Sequence, residues 1–136
     1  MNSQTGRCLC GSVTFRFSGT PLWQAHCHCE SCRKSCSAPV TSFLGVRDGD
    51  WEWTGEAPQV YERSPGVRRY FCARCGSQMA YAADKFPGEI HFYAASLDDV
   101  DAYAPTFHVF AGEAVPWLHF QDDLPRYHST KGSETT

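Results

Sequence analysis

The 136 residues, 42% hydrophobic and 14% aromatic, are enough to bury a core, and their composition is globular rather than disordered. Twelve basic and fifteen acidic residues, well mixed, give a net charge of −3, which excludes the clustered basic excess of a nucleic-acid-binding surface. No apolar run approaches the roughly 18 residues of a membrane span, and no secretory-type apolar stretch follows Met1, so neither a membrane nor export is expected and the default location is a reducing cytoplasm.

Along the chain, Val13, Phe15 and Phe17 alternate with polar residues, the period of a half-buried strand. Further β-prone runs are expected over 40–46, 51–54, 60–63, 69–72, 79–82, 90–94 and 106–110. Turn signals separate several of them: Asp48-Gly49-Asp50, Ser64-Pro65-Gly66, Phe86-Pro87-Gly88 and Ala111-Gly112-Glu113. No segment has sustained helical periodicity, and only 30–35 has room for a turn or two of helix. The expectation is an all-β, mainly antiparallel single domain over 1–128. The polar tail 129–136 is expected to fray.

Eight cysteines stand out in such a chain. Without an export signal, metal binding is favoured over disulfides. They fall in three clusters: Cys8 and Cys10; Cys27, Cys29 and Cys32, with Cys36 close by; and Cys72 and Cys75. On a strand, residues i and i+2 share a face, so Cys8 and Cys10 can present sulfurs side by side, and so can Cys27 and Cys29. The two-residue gap between Cys72 and Cys75 suits a tight turn, and Gly76 can take the positive φ that lets N–H groups approach the sulfurs.

Joined, Cys8/Cys10 and Cys72/Cys75 make one closed four-sulfur site of the structural zinc type. Spacing also allows Cys8/Cys10 to pair with Cys27/Cys29. With the first pairing, Cys27, Cys29 and Cys32 are left as a three-thiolate set with one open position, the mark of a catalytic rather than a scaffolding metal. Cys36 decides this: turned inward it closes the site, and turned aside it only fills space.

The stretches Gly6-Arg7-Cys8-Leu9-Cys10-Gly11-Ser12-Val13, Cys27-His28-Cys29-Glu30-Ser31-Cys32-Arg33-Lys34 and Arg69-Tyr70-Phe71-Cys72-Ala73-Arg74-Cys75-Gly76-Ser77 resemble the glutathione-dependent formaldehyde-activating enzyme family, which includes centromere-protein-V-like members. Ala95-Ser96-Leu97-Asp98-Asp99 and the segment from His108 through Trp117 to Pro125 match as well. The resemblance spans about residues 6–127. It implies an Mss4-like, tent-like β fold stapled by two zinc ions. One would be structural, on Cys8, Cys10, Cys72 and Cys75. The other would be open, on Cys27, Cys29 and Cys32. It also implies a carbon–sulfur lyase reaction on a glutathione–aldehyde adduct such as S-hydroxymethylglutathione. Cys36 is not part of the family pattern.

Such a reaction produces an alkoxide that needs a proton, and His26, His28 and His108 are candidate donors. Arg33 is the candidate for glutathione's carboxylates. A non-catalytic, zinc-stapled binding module is the rival function. A redox role for Cys72 and Cys75 lacks the βαβ context of thioredoxin-like motifs.

Overall fold

The computed structural model describes residues 3–136. They gather into two compact units, one of residues 3–22 and 44–103 and the other of residues 23–43 and 104–136.

In the first unit, β1 (Ser3–Arg7) pairs antiparallel with β2 (Thr14–Ser18), which pairs antiparallel with β5 (Trp51–Trp53). Valine and phenylalanine at alternate positions turn Phe15 and Phe17 inward and leave Arg16 outside. A second antiparallel set comprises β6 (Gln59–Tyr61), β7 (Val67–Phe71), β8 (Gln78–Ala83) and β9 (Glu89–Tyr93), with a register shift between Tyr70 and Phe71. The end of β4 (Thr41–Arg47) lies beside β9.

Phe15 and Phe92, both wholly buried, stack with centroids 4.1 Å apart. Trp51 and Trp53 meet Phe92 edge-on, a favoured aromatic geometry. Cys8 and Cys72 are buried members of the same core, while Cys75 packs against it and Cys10 is exposed, so the cysteine cluster sits at its edge.

In the second unit, β3 (Trp23–Cys27) runs parallel to β10 (Phe107–Val109), unlike the antiparallel pairs described in the first unit. The start of β4 lies on the other side of β3. A seven-residue helix, α1 (Glu30–Cys36), follows at once. The polar residues 129–136 also take part in backbone pairing. Phe110 N–H donates to Ser129 C=O, His128 N–H to Glu134 C=O and Thr136 N–H to Arg126 C=O. A bridge also joins Tyr127 to Thr135, so paired backbone groups tie the tail down despite its polarity.

The expected strands are all present, with ends moved by a residue or two. β1 and β3 carry no clear alternation in sequence and were not expected. Among the described residues, no helix is long and apolar enough to cross a membrane.

Candidate metal centres

The sulfurs of Cys8, Cys10, Cys72 and Cys75 lie within 4.8 Å of one another in the first unit. Cys8 Sγ is 3.7 Å from Cys10 Sγ, and Cys10 Sγ is 3.8 Å from Cys72 Sγ. A tetrahedron of sulfurs at a Zn–S distance near 2.3 Å has edges of about 3.8 Å. The donor set and the spacing therefore both fit zinc.

The backbone arrives at this geometry by another route than alternation. β1 ends at Arg7, and Cys8–Cys10 form a turn closed by Gly11 N–H to Cys8 C=O, with Gly11 at φ 84°. Gly76, at φ 79°, lets its N–H reach Cys72 C=O at 2.8 Å.

Hydrogen-bond donors surround these sulfurs. Val13 N–H points at Cys8 Sγ (3.3 Å) and Cys75 N–H at Cys72 Sγ (3.5 Å). The Ser12 hydroxyl lies 3.0 Å from Cys10 Sγ and 3.3 Å from Cys72 Sγ, and the Ser77 hydroxyl lies 3.2 Å from Cys75 Sγ. The Ser77 hydroxyl and N–H bring the Cys75 thiol down to about 5, the direction a thiolate ligand needs. Neither serine stood out in the sequence, although both lie two residues beyond a cysteine.

The second unit brings together the sulfurs of Cys27, Cys29 and Cys32, again within 4.8 Å. Cys27 ends β3, and Cys29 caps α1, its Sγ accepting from Cys32 N–H at 3.3 Å. Hydrogen bonds from Cys29 and Cys32, with burial, push the Cys27 thiol up, because three crowded sulfurs resist ionising without a nearby cation. The three-sulfur set fits a zinc with one position left over. Cys36, the half-buried last residue of α1, lies outside the group. None of the eight cysteines is in a disulfide.

Arg33 sits one turn into α1 and donates its Nε–H to His28 C=O at 3.3 Å. The three candidate histidines form a cluster in the second unit. His28 Nε2 lies 2.8 Å from His108 Nδ1, and His108 Nε2 lies 3.0 Å from Asp122 Oδ2. His26 bonds Ser42 Oγ through Nδ1 at 2.8 Å, with its ring 5.0 Å from that of His108. Phe120 packs against all three rings. His108 is wholly buried and His28 nearly so. Burial, then the neighbouring His108, holds His28 down at about 4, so it is neutral. Burial raises the Asp122 carboxyl, but its hydrogen bonds with His108 and Leu124 N–H win and keep it below the ordinary value. Sequence reading missed Asp122, because nothing in Gln121-Asp122-Asp123 sets it apart from its neighbour.

Residues 3–113, which include all the clustered cysteines and the three histidines, match the family described as glutathione-dependent formaldehyde-activating enzyme. A Halomonas elongata protein bearing that family's name is 27% identical over 126 residues, covering 85% of this chain and 80% of its own. An uncharacterized lyase of Schizosaccharomyces pombe is 29% identical over 82 residues, 60% of this chain and 59% of its own. The crystal structure of a Rhodobacter sphaeroides protein superposes with a TM-score of 0.58 at 22% identity, covering 70% of this chain and 88% of that one. This last likeness concerns the fold alone.

Proposed function

Because this chain belongs to the glutathione-dependent formaldehyde-activating enzyme family, we propose that it is a zinc-dependent enzyme of the carbon–sulfur lyase type, making or cleaving the adduct of glutathione, or another small thiol, with an aldehyde. S-hydroxymethylglutathione is the model substrate. Zinc is assigned to both clusters, with Cys8, Cys10, Cys72 and Cys75 as scaffold and Cys27, Cys29 and Cys32 as reaction site.

The observation that carries this reading is the unequal division of the sulfurs, four in one cluster and three in the other, with Cys36 outside. A zinc held by Cys27, Cys29 and Cys32 would be a weak Lewis acid, and the chemistry it would supply is a position for a soft sulfur and a preference for its deprotonated form at neutral pH. The chain's own residues do the rest. Cys27, Cys29 and Cys32 fix where the thiol sulfur sits, and Arg33, anchored by one N–H, turns its remaining donors to a carboxylate. Held beside the aldehyde carbon, the sulfur forms the new C–S bond as the carbonyl π pair moves to oxygen. The proton that left the thiol ends on that oxygen. Orientation is the main contribution such a site makes.

The test is exchange between free formaldehyde and S-hydroxymethylglutathione, followed by NMR line broadening with and without protein. Faster exchange that disappears in Cys29→Ser is expected. Exchange at the uncatalysed rate, with no glutathione binding, leaves the zinc-stapled binding module as the better description.

A further inference from the structure

Among the second unit's polar groups, three form a directed chain that ends on the residue between two of the cysteines. A carboxylate only accepts hydrogen bonds, so the bond between Asp122 and His108 requires a proton on His108 Nε2. With its proton on Nε2, the His108 ring leaves Nδ1 to accept from His28 Nε2–H at 2.8 Å. Each link fixes the tautomer of the next.

His28 is also held by its backbone. Its N–H donates to Val109 C=O at 3.1 Å and its C=O accepts from Arg33 Nε–H at 3.3 Å. The two peptide units that join His28 to Cys27 and Cys29 are thus fixed on both sides, and its ring prevents rotation of the residue as a whole. In extended backbone, Cys27 and Cys29 point to one side and His26 and His28 to the other. The cysteines face the candidate metal position while the imidazoles face Phe120.

Asp122 is itself clamped. Arg126 Nη1 bonds its Oδ1 at 3.1 Å and also the carbonyl of Leu124, while Arg126 Nη2 holds the carbonyl of Phe120. Leu124 N–H donates to the same Oδ1 at 3.0 Å.

We propose that Asp122 and His108 are positioning residues for the cluster of Cys27, Cys29 and Cys32, acting through His28 to hold the two flanking cysteines and Arg33 in place. This rests on the reading of that cluster as a metal site. An apolar pair would fill the same volume, but only a hydrogen-bonded chain sets the rotation of the residue between two ligands. Such outer partners typically change metal affinity by about 10–100-fold when removed.

The experiment loads both clusters with cobalt(II), whose thiolate absorption bands report on occupancy, and follows transfer to a coloured chelator with no thiol or aldehyde present. In Asp122→Ala, one of the two ions should leave about 10–100-fold more readily, while the other, held in the first unit, leaves at the wild-type rate. Asp122→Asn keeps an acceptor for His108 and should recover most of the retention. In the wild type, 15N NMR of the imidazoles should find the proton of both His28 and His108 on Nε2. That measurement stands even if Asp122→Ala fails to fold, and a proton on His108 Nδ1 overturns the chain.

Wild-type release of both ions in Asp122→Ala overturns the positioning role, as does equal acceleration of both. A wild-type protein that takes up only one cobalt overturns the reading of the second cluster itself. Normal retention effects without glutathione binding overturn the proposed function and leave the positioning role standing.

Discussion

Cys10 Sγ and Cys72 Sγ, 62 residues apart in the chain, lie 3.8 Å from each other. They join the turn after β1 to the turn after β7, and one cysteine of each pair, Cys8 and Cys72, is buried in the core. Metal in a four-thiolate site of this kind contributes on the order of 10 kcal/mol to folding, comparable to the whole stability of a domain this size. Cys72→Ser and Cys8→Ala should therefore abolish soluble folding, and stripping zinc with a chelator should unfold the protein. Wild-type melting behaviour in either variant refutes the scaffold role.

The second cluster should behave otherwise, because the first still holds its own unit's fold. Cys29→Ser should give folded protein with about one zinc by elemental analysis, less stable than wild type and unable to bind glutathione. Serine is itself a favoured N-cap, so its hydroxyl takes over the bond that Cys29 Sγ accepts from Cys32 N–H and the start of α1 is kept. Cys36→Ser should keep about two zinc ions, since Cys36 lies outside the sulfur group. Loss of the same ion from Cys36→Ser shows a closed site.

Much of this was legible in the sequence. Alternation at Val13, Phe15 and Phe17 marked β2, and turn residues marked most of the strand ends. The three cysteine clusters also read clearly, because ligand chemistry tolerates few other residue types. What spacing alone left open was the partner of Cys8/Cys10, since that depends on which turns the sheets bring together. The geometry at Cys8 and Cys10 was misread, because a turn with Gly11 at positive φ and a strand can both place neighbouring sulfurs together. Asp122 was invisible because its role depends on a contact with His108 across the fold, and a lone carboxylate in a polar stretch carries no local pattern.

Gly6 pairs with Phe15 across β1 and β2. A Cβ at Gly6 would overlap the Phe15 ring and come within 2.8 Å of Ser96 C=O. Phe15 cannot retreat, being wholly buried and stacked on Phe92. Gly6→Ala should then cost about 1–3 kcal/mol, the usual penalty of overpacking, read as a lower denaturant midpoint with an unchanged slope. An unchanged midpoint shows that β1 yields more readily than its pairing implies.

The Ser12 hydroxyl lies within 3.3 Å of both Cys10 and Cys72 sulfurs, while Ser77 serves Cys75 and also accepts Leu9 N–H at 3.0 Å. Four thiolates around one divalent ion leave a net charge of about −2, which hydroxyl and N–H donors spread over a wider region. Ser12→Ala should fold normally yet release the first unit's metal about 10-fold faster to a chelator. Ser77→Ala should release it faster still, because Leu9 N–H also loses its partner. The second unit's ion is the internal reference and should leave both variants at the wild-type rate. If Ser12→Ala holds its metal as the wild type does, the hydroxyl only fills space beside the sulfurs and the backbone N–H groups suffice to stabilise them.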